Sequence, residues 1–236
     1  MSQRFNELGQ PIGPALPDWR PPPRPARRVL EGHWCRVEPL DAGRHALELH
    51  DANSLDRTGR MWTYLQSGPF ASFEDYCAWL EPRPASEDPT FFAFVDKASH
   101  RATGLGSYLR IEPAAGSIEV GHLQFSPLLQ RTPAATEAMY LMMRNAFELG
   151  YRRYEWKCDA LNAASRRAAE RLGFTFEGVF RQALVYKGRS RDTAWYSVLD
   201  SEWPALQRGF RAWLQPQNFD GSGRQRRSLA ECREEA

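Results

Sequence analysis

The stretch Gln130-Arg-Thr-Pro-Ala-Ala-Thr136 has the residue types, and the place in the chain, to hold a phosphate. Before it, Glu119-Val-Gly-His-Leu-Gln-Phe125 reads as a strand whose branched and aromatic residues end at Ser126-Pro127. After it, Thr136 to Leu149 carries apolar residues at helical spacing. A strand that passes through a short polar loop into a helix presents unpaired N–H groups at the positive end of the helix dipole, which is a seat for an anion. The same residues also describe an ordinary capped helix, with Thr132 as N-cap and Pro133 in the first helical position, where a missing N–H is harmless. On this stretch alone both readings stand.

Two other groups of residues have spacing that bears on chemistry. Glu119 lies on the strand between Ile118 and Val120, and His122 follows three residues later. Counting by twos puts the pair on opposite faces unless a bulge at Gly121 resets the alternation. Further on, Asn162 stands where a strand stops and can cap the helix that follows, Ser165 lies one turn inside on the same side, and Gly173 closes that helix.

The elements that must position these groups follow in order. A first strand spans Gly32 to Leu40, with helices over Ala42 to Leu55 and Ser72 to Leu80. Between the helices, the aromatic loop containing Trp62, Tyr64 and Phe70 either covers the core or forms a substrate wall. Thr90 to Asp96, Ala102 to Ile111 and Ser117 to Phe125 form an antiparallel meander joined by turn-rich links. Then come the loop, the helix from Thr136, a strand over Tyr151 to Cys158, a helix over Asn162 to Leu172, and strands over Phe174 to Gln182 and Trp195 to Asp200. Residues 1–29 form a proline-rich arm that Phe5, Leu16 and Trp19 could pin to the body, 30–215 one domain, and 216–236 a flexible charged tail.

Gln130 to Ala135 resembles the pyrophosphate loop of the GCN5-related N-acetyltransferases, Gln/Arg-x-x-Gly-x-Gly/Ala, with Pro133 in the place of a glycine. One N–H donor to the diphosphate is therefore absent. The run from Cys158 through Asn162, Ser165 and Gly173-Phe174 to Glu177-Gly178 is similar to the same family, in the branch that includes the ribosomal-protein N-terminal acetyltransferases. The resemblance covers residues 30–205. It implies an α+β (α/β) acyltransferase fold, a mixed and mostly antiparallel sheet of about seven strands flanked by four helices, with the central strands splayed apart.

The family's activity is acetyl transfer from acetyl-CoA, as co-substrate, to a primary amine by direct attack in a ternary complex. The resemblance assigns the cofactor to Gln130, Arg131, Thr132, Ala134, Ala135 and Thr136, with Phe125, Asn162, Ser165 and Arg167 along its remaining length. Direct attack requires a group to take the amine proton and a donor for the developing oxyanion. Glu119, in Glu-Val-Gly-His122, matches the family's Glu-x-Gly-Tyr/His and is the first candidate base, acting through a water; His122 is the second, and a solvent-facing salt bridge is the plain alternative for Glu119. Ser165 is the candidate acid for the leaving thiolate, since Ala168-Ala169 stand where many relatives place a tyrosine. Trp62, Tyr64, Trp156 and Glu119 are candidate acceptor contacts, Lys157 and Asp159 could edge the same cleft, and Arg181 to Asp192 either shapes its mouth or is a polar hairpin. Glu137, in the first turn after the loop, is expected to serve the helix dipole.

Composition bounds the partners. The 236 residues carry 31 basic and 29 acidic side chains, net +2, which gives no broad field for nucleic acid. Four scattered cysteines, no leader and no apolar run of about 20 residues suit a cytoplasmic enzyme away from membranes. The five histidines form no recognisable ligand set, so no metal is expected. A homodimer is an option by analogy alone. A peptide or protein N-terminus is the acceptor that the branch suggests, against a small molecule or peptide antibiotic in self-protection; a CoA-binding sensor without turnover is the alternative of another class.

Overall fold

The computed structural model describes residues 4–235. A small hairpin, β1 (Arg4–Phe5) and β2 (Pro11–Ile12), precedes the body. There follow β3 (Leu30–Glu31), β4 (Cys35–Pro39), α1 (Ala42–Ser54), α2 (Phe73–Leu80), β5 (Thr90–Asp96), β6 (Ala102–Glu112) and β7 (Ser117–Phe125). The second half holds α3 (Pro133–Glu148), β8 (Arg153–Asp159), α4 (Ala163–Leu172), β9 (Thr175–Tyr186), β10 (Arg189–Leu199), α5 (Trp203–Trp213) and α6 (Leu229–Glu234). The main sheet has 8 strands in the order β3-β4-β5-β6-β7-β8-β10-β9. Its one parallel pair is β7 with β8, joined through α3.

Both faces of the sheet are covered, and β5 shows why. Alternate side chains of a strand point to opposite faces. Phe92 and Phe94 pack with α3, α4 and α5, while Phe91, Ala93 and Val95 pack with Leu49 of α1 and with Tyr76 and Leu80 of α2. The first core is the larger and is centred on α3, which is buried over most of its length from Ala134 to Ala146.

Glu137 departs from its expected role. Its buried carboxylate accepts the backbone N–H groups of His33 (2.8 Å), Trp34 (2.6 Å) and Cys35 (2.8 Å). It thereby ties the turn before β4 to the first turns of α3, and this is why the strand expected from Gly32 begins only at Cys35, after a turn that follows the short β3. A Cβ on Gly32 would lie 2.3 Å from Glu137 Oε2, so only glycine lets the carboxylate approach. The same carboxylate, added to burial, pushes the Cys35 thiol well above its ordinary range.

The two ends also depart in part. The arm opens on the β1–β2 hairpin, and Trp19 lies against the turn at Gly116; the side chains of Phe5 and Leu16 are exposed. Arg27 donates to Ser86 O and Arg28 to Asn145 Oδ1. The segment expected as a flexible tail is folded: Ser228 and Glu231 form a capping box for α6, and Leu229 and Cys232 are buried in the larger core. With α5, a second unexpected helix, α6 brings the count among the described residues to six α-helices where four were expected. The stretch Arg181 to Asp192 is a strand hairpin, its turn made by Lys187 and Gly188, both with positive φ (48° and 69°) as a tight right-twisting turn requires.

Candidate active site

The cleft arises where the sheet stops being continuous. β7 and β8 pair only from Ser117↔Arg153 to Val120↔Trp156. Past that point β7 stays with β6 as far as Phe125, and β8 stays with β10 as far as Asp159, so the two strands diverge. The register between β6 and β7 shifts between Leu105/Gln124 and Ser107/Gly121, and His122 has φ 51°. One extra residue has been inserted into β7, and a bulge of this kind resets the alternation. As a result Glu119 and His122, on opposite faces by simple counting, line the same cleft of about 1740 Å³.

Most of the expected groups meet there. Phe125, Gln130, Arg131, Thr132, Ala135 and Thr136 line one side, with Trp156, Asn162 and Ser165 across from them and Tyr64 at the far end. Three do not. Ala134 is buried against the core, Arg167 is exposed outside the cleft, and Trp62 is a core residue, edge-on to Phe70. Trp62 reaches the late hairpin only through its backbone, whose carbonyl accepts from Lys187 Nζ at 2.7 Å.

The loop is both things that its residues described. Arg131 adopts a left-handed conformation (φ 62°) that turns the chain from the strand into α3, which begins a turn earlier than Thr136. Thr132 is the N-cap: its Oγ1 accepts from Ala135 N and donates to Leu129 O. With Pro133 lacking an N–H and that of Ala135 taken, Ala134 keeps the first-turn N–H that has no partner within a helix. The helix end inside the cleft therefore suits an anion, and the parted strands suit an extended arm leading away from it, which together fit the diphosphate and pantetheine of CoA.

Glu119 is 2 % exposed and heavily engaged. The Arg110 guanidinium grips it with two bonds, Nε to Oε2 at 2.7 Å and Nη2 to Oε1 at 2.9 Å, and Lys157 Nζ lies 2.9 Å from Oε2. Lys157 also pairs with Glu155 (2.7 Å) and sits 3.6 Å over the Trp195 ring; Glu155 pairs with Arg153, which in turn holds Glu177. Alternating charges thus run from the cleft along β8 to β9, and the plain alternative of a solvent-facing Glu119 is removed. Arg110 was not legible as a partner, because φ 45° at that residue bends β6 to bring it round. Asp159, at the end of β8, accepts from Leu161 N and from Tyr186 Oη.

His122 is held differently. Its Nδ1 lies 2.8 Å from Ser107 Oγ, and its ring packs 5.2 Å from that of Phe91. Burial, with Arg83 and Arg110 nearby, pushes the imidazole down to about 4, so it is neutral at neutral pH. The unfolded chain, with an ordinary histidine near 6.5, takes up this proton first as pH falls. Stability from His122 is therefore fully present above about 6.5 and is lost between there and about 4, by up to about 3 kcal/mol. Buried His45 is lowered too and adds in the same direction. Urea titrations at pH 7 and pH 4.5 should show a smaller loss in His122→Asn than in the parent; equal losses in both would contradict the assignment.

Ser165 is oriented from two sides. Its N–H caps onto Asn162 Oδ1 (3.0 Å), and its Oγ accepts from Trp156 Nε1 (3.0 Å). An oxygen that accepts from an indole keeps its own proton for another acceptor. Burial raises the neighbouring Cys158 thiol, which keeps it protonated at neutral pH. In Trp156→Phe the hydroxyl loses its orienting donor, and kcat is expected to fall severalfold with about 1 kcal/mol of stability. Steady-state kinetics beside a thermal melt would show this, and an unchanged kcat would mean the bond is idle.

The chain is matched over residues 37–175, more than half its length, by the family model described as "Acetyltransferase (GNAT) domain". This chain belongs to the GNAT acetyltransferase family. A GCN5-related N-acetyltransferase from Brucella melitensis is 50% identical, covers 93% of this chain and 100% of its own, and superposes with a TM-score of 0.91. A GNAT-family protein from Chromobacterium violaceum ATCC 12472 is 42% identical over 83% of this chain and 98% of its own, with a TM-score of 0.77. A ribosomal L7/L12 α-N-protein acetyltransferase in complex with coenzyme A shares the fold at 19% identity, over 72% of this chain and 97% of its own, with a TM-score of 0.60. No curated protein matched in a sequence search. The protein is an acyltransferase by family, and GNAT enzymes use acetyl-CoA as their acetyl donor. No helix among the described residues is long and apolar enough to cross a membrane.

Proposed function

We propose that the protein transfers the acetyl group of acetyl-CoA to the primary amine of a peptide or protein N-terminus. The observation that carries the acetyl-transfer reading is the parting of β7 from β8 after Val120 and Trp156, with a helix end at one side of the gap and Glu119, His122 and Ser165 around it. The thioester supplies an activated acyl carbon and a thiolate leaving group. Around it, the first turn of α3 with Arg131 takes the diphosphate, and the unpaired edges of the parted strands take the amides of the pantetheine arm.

The amine enters from the end walled by Tyr64 and the hairpin that holds Tyr186. Glu119 draws the ammonium in and accepts its proton through a water, while Arg110 and Lys157 keep the carboxylate fixed. Neutral His122 supports the same transfer from the bulge. Ser165, with Trp156 donating to its oxygen, passes a proton to the departing thiolate and regains one from the nitrogen of the collapsing tetrahedral adduct. A peptide acceptor is favoured over a small amine by the length of the cleft, which stays open from α3 to the 55–66 loop.

A panel of N-terminal peptides, polyamines, amino acids and aminoglycosides, read by CoA thiol release, tests this. Release with peptides above all others is expected. Turnover confined to a small amine would overturn the acceptor, and binding of acetyl-CoA without release across the panel would reassign the protein as a sensor.

A further inference from the structure

We infer that the C-terminal segment from Trp213 to Arg224 completes the nucleotide end of the CoA site, with Arg171 and Arg224 taking the 3′-phosphate; this rests on the acetyl-CoA reading above. The charged side chains that line the cleft are sorted by position. At the acceptor end the carboxylates Asp56, Asp88, Glu119 and Asp159 are mixed with the cations Arg60, Arg110, Lys157 and Arg191, whereas around the start of α3 the charged lining is Arg131, Arg171 and Arg224, without a carboxylate among the lining residues there.

A chain of contacts joins that start to the C-terminus. Arg171 Nη1 donates to Thr136 Oγ1 at 3.0 Å, and its guanidinium lies 5.1 Å over the Trp213 ring. Trp213 Nε1 donates to Gln225 Oε1 at 2.9 Å, and Phe219 is edge-on to Trp213. Buried Asn218 fixes the segment by donating to the carbonyls of Trp213 and Arg227. Among the described residues neither Arg131 nor Arg171 is ion-paired, and Arg224, with an 84% exposed side chain, donates to Ser222 Oγ at 3.0 Å and has Asp220 as its carboxylate partner at 3.8 Å. Burial, with the positive charge of Arg233 added to it, lowers Arg171 from its ordinary range, a cost that a bound anion would relieve.

CoA carries two separate anionic groups. The diphosphate is matched by the helix end and Arg131, which leaves the 3′-phosphate as the group for Arg171 and Arg224. Each charge-assisted contact to a phosphate is expected to be worth about tenfold in affinity.

Isothermal titration of the full chain with CoA and with dephospho-CoA, which lacks only the 3′-phosphate, tests the assignment. The parent should bind CoA at least about tenfold tighter than dephospho-CoA. In Arg224→Ala and in Arg171→Gln the preference should shrink through loss of CoA affinity, with dephospho-CoA held as before. Arg224 is exposed, so its variant stays folded whatever the fate of the other. A preference unchanged in both variants would overturn the inference and leave the acetyl-transfer reading intact. Failure of the parent to bind either ligand would overturn both.

Discussion

Replacing Glu119 by glutamine is expected to lower kcat by about a hundredfold or more, the range that a positioned general base contributes, while acetyl-CoA affinity stays within about threefold. The expectation follows from where the side chain sits. It is buried at the last but one paired rung between β7 and β8, so it faces the reacting end of the gap and not the diphosphate. Glutamine keeps the shape and one acceptor oxygen but removes the charge that Arg110 and Lys157 share. Lys157 keeps Glu155, and Arg110 is 57% exposed and can be rehydrated, so the stability loss is expected at about 2 kcal/mol, below that of an abandoned buried charge. Rates from pH 6 to 9 decide the role: a kcat within twofold of the parent throughout would remove Glu119 as base and pass the role to His122 or to water.

A second large effect is expected away from the chemistry. Glu137→Ala leaves the N–H groups of His33, Trp34 and Cys35 without their acceptor, the first two at part-buried positions and the third buried. With about 1–3 kcal/mol for each stranded buried group and partial relaxation, the chain should lose about 3–5 kcal/mol. The urea midpoint should fall with the slope unchanged. A loss below about 1 kcal/mol would mean that the turn before β4 finds other partners. Glu137→Gln should fall between the two, since its amide oxygen still accepts while its NH2 faces donors.

How much of this was legible before any coordinates differs from residue to residue. The strands Thr90–Asp96 and Ser117–Phe125 appear with the bounds that their alternation implies, and α4 has Asn162 and Gly173 at its ends as their types require. These are local signals, carried by period and by capping chemistry. Glu119, Ser165 and the loop at 130–136 also come together as their resemblance to the family implied. What was hidden depends on non-local geometry. The bulge that turns His122 into the cleft was allowed by Gly121 but not required by it, so counting by twos left both faces open, and the φ of Arg110 has no mark in the sequence. α5 and α6 were passed over because the charge and glycines around them resemble a solvated tail, although Trp203, Phe210, Trp213, Leu229 and Cys232 fall on buried faces. Glu137 was assigned to its own helix because its real partners lie about a hundred residues earlier in the chain.

The parting of β7 from β8 also has a mechanical side. A pleated sheet is stiff because its ladder is uninterrupted, and here the ladder across the middle consists of four residue pairs, Ser117–Val120 against Arg153–Trp156. Those rungs act as a pivot between a five-strand plate and a three-strand plate. Beyond them, the backbone amides of β7 that look across the gap lack the protection of a neighbouring strand and should trade hydrogen for deuterium quickly. A pantetheine arm laid into the opening would act as a splint, slowing that exchange and locking the plates at one angle.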